Sequence, residues 1–396
     1  MQLRIRTFSI VLTLTLILAV CLFVYLRANS SQHNESSSIA FSDIASSTAS
    51  IHLRLMSSWI LTDLPVGVMK IAINPAHHQV ATLTFSPELA VRISDISRGS
   101  LDVMLPIETD FYPGHIAYTP DGNFLVVGGS IGSRDPISQV TVWDVASGEI
   151  VAASPTIAGE LWSMRIAPDG TQVAISLQRR AINDALQISS NISTWTIGEA
   201  QWTQVLHETD GAIFSLAHSS NFAGFVYAVS KSRISGSITD MLTPQFAQQF
   251  SSETNWSSIL KIWDNQNDQP ELVDEISGEI TALELSPAST YLAVANSDDS
   301  ITLWDFRNLT RLAQTDAAVF SLSFSFDERT VAFYNEVSRS LRFWDTSTSS
   351  YIDFQSDHQD YIAAAHLPLF SPTRNLLVTA RGGNSIVDIW EIIYPG

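Results

Sequence analysis

Val140–Asp144 reads VTVWD, Leu260–Asp264 reads LKIWD, Ile301–Asp305 reads ITLWD and Leu341–Asp345 reads LRFWD. Each is a short β-type run that stops on Trp-Asp. Looser copies fill the gaps: Val91–Asp95 (VRISD), Asn191–Thr196 (NISTWT) and Ile386–Glu391 (IVDIWE). A unit of short strands recurring every ~40–70 residues is one supersecondary element used repeatedly. Seven such units can close into a ring. The repeat speaks to architecture and is silent on chemistry.

Working outward from ITLWD, Glu279–Leu285 is a strand, Ser286-Pro287-Ala288-Ser289 a turn and Thr290–Asn296 a second strand. Ser297-Asp298-Asp299 turns the chain into Ser300–Trp304, and Leu309–Gln314 is a fourth strand. Pro120-Asp121-Gly122 and Pro168-Asp169-Gly170 mark the same first hairpin in two other units. Proline presets φ and glycine tolerates φ above zero, so both fall where the chain reverses. Asp-Gly suits turns that match strand twist.

The Trp-Asp ending and the S-P-x-x or P-D-G hairpin together resemble the WD-repeat family of β-propellers, over about Ile51 to Gly396. The resemblance implies an all-β fold, a seven-bladed β-propeller of four-stranded antiparallel blades around a central channel. The signature positions are Trp143, Asp144, Trp195, Trp263, Asp264, Trp304, Asp305, Trp344, Asp345 and Trp390. Ser94 stands for Trp in blade one, Thr196 for Asp in blade three and Glu391 for Asp in blade seven. The family's Gly-His before each first strand is essentially absent, since Gly114-His115 lies too close to Pro120-Asp121-Gly122, so its His–Ser–Asp–Trp network is not expected. The chain ends just after the third strand of blade seven. Residues 51–62 have strand character (HLRLMSSWILT from His52) and are expected to supply the missing outer strand, burying an edge and locking the ring.

Bulk numbers narrow the function. Hydrophobic residues make up 45% of 396, enough for a large core, and only 15% are charged. Lys+Arg is 21 against Asp+Glu 40, a formal charge of −19. Such a surface repels nucleic acid and anionic headgroups at long range. The one cysteine, Cys21, lies outside the repeat region, so the domain must be stable without a disulfide.

Residues 8–26 (FSIVLTLTLILAVCLFVYL) hold no charge. As a helix they would span about 28 Å, against ~30 Å of bilayer hydrocarbon. Three readings compete: a cleaved signal, a lipoprotein signal around Leu18-Ala19-Val20-Cys21, and an uncleaved anchor. Val20 is large for lipidation, and Tyr25-Leu26-Arg27 is a poor lead-in to cleavage, so the anchor fits best. Arg4 and Arg6 against Arg27 place residues 1–7 in the cytoplasm and the propeller outside it. The Ser-rich residues 27–50 read as a tether.

One asymmetry points to a surface. The loops between second and third strands are extended in blades two (Ser130–Ser138), three (Gln178–Ser190) and four (about Lys231–Ser258). Strand alternation puts all three on one face, over neighbouring blades. They carry Arg134, Arg179, Arg180, Lys231 and Arg233 on an acidic protein, with Phe246, Phe250 and Trp256 in the longest. Loops on rigid scaffolds are where binding specificity usually sits. The expected function is a non-enzymatic, membrane-tethered scaffold for a protein partner, with no cofactor, metal or catalytic residue. The competing expectation is an enzyme or small-ligand binder in the channel mouth. For that, the first strands offer a thin polar inventory: Lys70, Arg165, His218 and Glu284. Gly128-Gly129-Ser130-Ile131-Gly132 matches G-x-S-x-G but leaves a strand for a Pro-containing loop, the wrong context for a nucleophile. His77-His78 has no spaced third ligand. Asn34, Asn191, Asn255 and Asn308 begin N-x-Ser/Thr sequons.

Overall fold

In each blade the strands are lettered a to d from the channel outward. The computed structural model describes residues 50–60, 68–84, 89–99, 101–107, 110–132, 135–182, 186–209, 211–219, 224–232, 256–264, 270–317, 319, 321–335, 338–363, 366–381 and 386–394. The apolar residues 8–26 and their flanks up to residue 49 therefore lie outside the described residues. Among those described, no helix is long and apolar enough to cross a membrane.

Seven antiparallel sheets follow one another along the chain. Blade one is Val68–Ile73, Gln79–Thr84, Ala90–Asp95 and Leu101–Pro106; blade five is Ile280–Leu285, Tyr291–Asn296, Ser300–Asp305 and Thr310–Asp316. Strands b and c lie in the middle of each sheet and between two other blades, so both their faces are covered. That is why they read as near-continuous apolar runs: Leu125, Val126 and Val127 are all fully buried. The core is a series of inter-blade layers. Leu83, Val91, Ile93 and Leu105 of blade one meet Phe111, Leu125 and Trp143 of blade two. Val378, Val387 and Ile389 of blade seven meet Ile73, Val80 and Ile96 of blade one, completing the circle. Fully burying one such aliphatic side chain stabilises the fold by about 1.5–3 kcal/mol.

Blade seven is built differently. Its strands a to c are His366–Phe370, Leu376–Arg381 and Ile386–Ile393, and Ser50–Ile60 pairs antiparallel with the last, from His52↔Ile393 to Ile60↔Ile386. Ile51 and Leu53 of this strand are buried among Leu341, Phe343, Phe370 and Trp390. The sheet also gains a fifth strand: after the short strand d of blade six (Ser350–Tyr351), Asp353–Ser356 crosses over and pairs parallel with Ser50–Leu53. At His52 and Leu53 both backbone edges of the N-terminal strand are engaged, which leaves no open template there.

The signature residues have separable jobs. Trp195, Trp344 and Trp390 are fully buried, and the Trp143 and Trp390 indoles donate to Thr141 and Thr379 at 2.9 and 3.0 Å. Trp263 stacks on Phe225. The aspartates cap the c–d turn. Asp144, Asp305 and Asp345 accept from the backbone N–H of Ser147, Asn308 and Thr348 at 2.7, 3.0 and 2.9 Å, and Asp95 does so from Ser97 and Arg98. Glu391 has no such turn after it. It ion-pairs instead with Arg54 on the N-terminal strand.

Candidate functional site: the long-hairpin face and the channel

The extended connections of blades two to four are partly strand. Blade three is the largest correction: Gln172–Ile182 and Leu186–Thr196 pair without interruption from Gln172↔Thr196 to Ile182↔Leu186. The expected loop Gln178–Ser190 is thus mainly a projecting hairpin. Polar residues hid it, because a hairpin arm that leaves the core needs no apolar alternation. Blade two's strands run to Ile131 and from Ile137, and blade four's to Ser232 and from Trp256. Arg179 is exposed and donates from Nε to the Ala158 carbonyl at 3.2 Å. Lys231 is half-buried in strand b of blade four. Arg180 and Trp256 occupy strands whose side chains there lie outside the described residues, as do Arg134, Arg233, Phe246 and Phe250 entirely.

A buried serine network braces the bases of these hairpins. In blade two Ser130 and Ser138 share a hydrogen bond at 3.0 Å across the b–c base; Ser138 donates to the Gly159 carbonyl and Ser130 accepts from Leu161 N–H. Blade four repeats this with Ser230, Ser258 and the Gly278 carbonyl, and in blade three Ser190 donates to the Gly211 carbonyl. Each glycine immediately precedes the next blade's inner edge. Gly211 has φ 147 and Gly159 φ 121, and at Gly211 a Cβ would come within 2.5 Å of Val229. This serine–glycine link uses no Gly-His pair; its trace in the sequence is the recurring Gly-x alone (Gly159-Glu160, Gly211-Ala212, Gly278-Glu279). Ser130, the centre of G-x-S-x-G, is therefore a structural hydroxyl on a strand.

The channel holds a cavity of about 490 Å³. Lys70, Arg165 and Glu284 line it, together with His115; His218 does not. His218 is one residue out of phase: it sits opposite Phe225, edge to ring at 5.0 Å, with Nδ1 at 2.9 Å from the Ser219 carbonyl. His115 was hidden by a bulge. Strand a shifts register against strand b between Val68 and Lys70, Pro113 and His115, Leu161 and Ser163, and Ile280 and Ala282. A bulge re-aims the side chains around it, and the sequence does not announce it. His78, half of His77-His78, accepts from Arg374 at 2.9 Å and belongs to the seam between blades one and seven.

Arg165 of blade three reaches across blade four to Glu284 of blade five, Nη2 to Oε2 at 3.2 Å. Both side chains remain about a third exposed to the bore, so the pair is worth no more than about 1 kcal/mol. Protein surrounds these groups on most sides while the bore stays open to water. That enclosure sets their acidities. Burial lowers the Lys70 ammonium below its usual value and Arg165 lowers it further. Burial, then Lys70 and Arg165, hold the His115 imidazole at about 3, so it is neutral at physiological pH. Burial raises the Glu284 carboxyl, and Arg165 opposes the rise.

Comparison with known proteins agrees with this architecture. Residues 271–305 match the family model described as WD domain, G-beta repeat. That span is strand d of blade four followed by strands a to c of blade five, so the sequence repeat is offset by one strand from the structural blade. The same offset leaves an outer strand to be filled at the ring's closure. No curated protein sequence matches the chain. Among solved structures, the β-propeller domain of Myceliophteria thermophila Cps50 (Swd1) superimposes with a TM-score of 0.56 at 13% identity, over 85% of this chain and 99% of that one. The chain carries a WD40 repeat over residues 271–305 and folds as a seven-bladed propeller of the kind WD40 domains form.

Proposed function

We propose that this protein is a membrane-tethered β-propeller that holds a protein partner against the b–c face of blades two to four. WD40 propellers commonly act as protein-interaction scaffolds, and that coarse role fits the fold. The observation that carries the finer reading is the set of lengthened b–c hairpins on three consecutive blades, each rooted by buried hydroxyls. Blades one, five and six turn from b to c within a few residues. Lengthening on adjacent blades, with braced bases, gives projecting arms whose position is set by the ring. Arg134, Arg179, Arg180, Lys231 and Arg233, set against Asp135, Asp184, Asp240 and Glu253 in the same connections, leave that sector near neutral on a chain of formal charge −19. It repels an acidic partner surface less than the rest of the chain does. The apolar residues 8–26 anchor the chain, with the propeller outside the cytoplasm.

The test compares wild type with a variant in which residues 233–255 are replaced by a short Gly-Ser turn, each purified from detergent-solubilised membranes. The reading expects a stoichiometric protein with wild type, absent from a variant that still melts cooperatively. Equal recovery from both removes the loop face from the function. Proteinase digestion of the propeller on intact cells checks the orientation; protection contradicts it.

The channel gives a second reading a specific footing, since three of its four expected polar groups meet in one cavity.

A further inference from the structure

The channel cavity combines two features that the loop face does not explain. The first is charge. Among the described lining residues Lys70 and Arg165 stand against Glu284 alone, so with Glu284 ionised that lining keeps one positive charge, in a chain that is strongly acidic elsewhere. Arg165 is satisfied by Glu284 and by the Met164 carbonyl at 3.0 Å. Lys70 has no hydrogen-bond or ion-pair partner among the described residues. Its electrostatic neighbour Arg165 is a like charge, and His115, which is neutral or cationic but never anionic, is no counterion. The second feature is shape and polarity. The remaining wall is largely hydrocarbon, including Met69, Ile71, Ile116, Met164, Ile166 and Leu322. The volume of about 490 Å³ lies within the ~300–1,000 Å³ typical of small-ligand sites, which pair apolar walls with a few convergent polar groups.

Lys70 and Arg165 line one water-filled bore closely enough that Arg165 depresses the Lys70 ammonium, so the two cations repel. An anion between them reverses the sign of both interactions. A bare inorganic anion would leave the apolar wall unused, and a neutral apolar molecule would leave Lys70 unpaired. We propose that the channel binds a small monoanionic carboxylate with an apolar body, its carboxylate held by Lys70 with Arg165 alongside and its hydrocarbon part against the methionine and isoleucine wall. The site is independent of the loop face, so either assignment stands or falls without the other.

The test is calorimetric titration of the full-length chain, kept in a neutral detergent, with hexanoate, with hexanol of matching length and with acetate. Hexanoate is expected to bind saturably at one site, and hexanol and acetate each more weakly by roughly tenfold or more, the usual worth of a charge-assisted hydrogen bond or of several buried methylenes. Lys70→Met should weaken hexanoate by a similar factor. Glu284→Gln removes the one negative charge among the described lining residues and should tighten hexanoate severalfold, a direction that misfolding cannot produce. Equal affinity for hexanoate and hexanol overturns the proposal. So does an unchanged or weakened hexanoate affinity in Glu284→Gln, or the lack of saturable hexanoate binding to wild type.

Discussion

Blade five and blade seven do the same job with different material. Blade five is a continuous run of chain, four strands joined by three short turns, and Asp305 caps the last of these by accepting from Asn308. Blade seven takes three strands from one end of the chain and one from the other, and Asp353–Ser356 adds a fifth. Its strand c runs on past Glu391 to Ile393, so among the described residues the acidic residue there has no turn to cap. Glu391 is one methylene longer and reaches Arg54 on the neighbouring strand instead. The Trp of the signature is kept in both blades because its job, filling the inter-blade layer, is the same. The contrast shows that the two halves of the Trp-Asp motif answer to different forces: Trp to burial, Asp to a local turn.

Among single substitutions the largest effect should fall in the closure. Asp388 of blade seven is fully buried and accepts from Arg381 Nε at 2.6 Å; Arg381 also donates to Ser58 on the N-terminal strand at 3.2 Å and lies over the Tyr361 ring. Asp388→Ala leaves a mostly buried guanidinium unpaired and should cost about 3–5 kcal/mol in chemical denaturation. A loss below 1 kcal/mol would mean that the closure carries no special weight. Next comes the seam to blade one. Gly99, at φ 62, packs so closely on Trp59 of the N-terminal strand that a Cβ would lie 2.7 Å from the ring, whereas Gly198, at φ 92 in blade three, has open space around it. Gly198→Ala should cost only the left-handed backbone penalty of about 1–2 kcal/mol. Gly99→Ala should cost visibly more in the same melt, and equal losses would argue against a tight seam. Arg54→Ala should cost only about 0–1 kcal/mol, because that guanidinium is half exposed and screened.

The turn-capping aspartates predict a pH effect. The Ser97 hydroxyl, helped by the Arg98 and Ser97 N–H groups, holds Asp95 at about 2 rather than 3.8. Hydrogen bonds led by the Ser147 and Asn308 N–H groups lower Asp144 and Asp305. Burial pushes Asp345 up, but Ser347 and Thr348 outweigh it. A folded-state value below the unfolded one stabilises the fold above the unfolded value. That stability is lost as pH falls through the folded value. Replacing all four by Asn keeps the acceptors and removes the titration. The variant should therefore lose less stability than wild type between about pH 4 and about pH 2, as read from melting temperatures. Parallel acid limbs would show that these carboxylates are not the turn caps that matter.

Much of the fold is legible because burial and turns leave compositional traces: apolar strands b and c, Trp at the inter-blade layer, Pro-Asp-Gly at the a–b hairpin. The site is less so. His115 stands well inside its strand, ahead of Ile116–Tyr118, whereas His218 is the last residue before its turn; that difference in phase, with a bulge before His115, sends one into the channel and the other away. The blade-three hairpin is hidden because Arg179, Arg180 and Gln187 give no apolar period. The serine brace escapes because a buried hydroxyl looks like any other serine until its partner across the turn is known.

The central claim is that the N-terminal strand completes the ring, so that Ser50–Ile60 is itself part of the last blade. The most direct measurement is the thermal melt of chains beginning at residue 46 and at residue 62, the latter with and without a peptide of residues 46–62. The account predicts a cooperative transition for the longer chain, a broad or strongly lowered one for the shorter, and recovery when the peptide is added. An unchanged, cooperative transition in the shorter chain alone would contradict it.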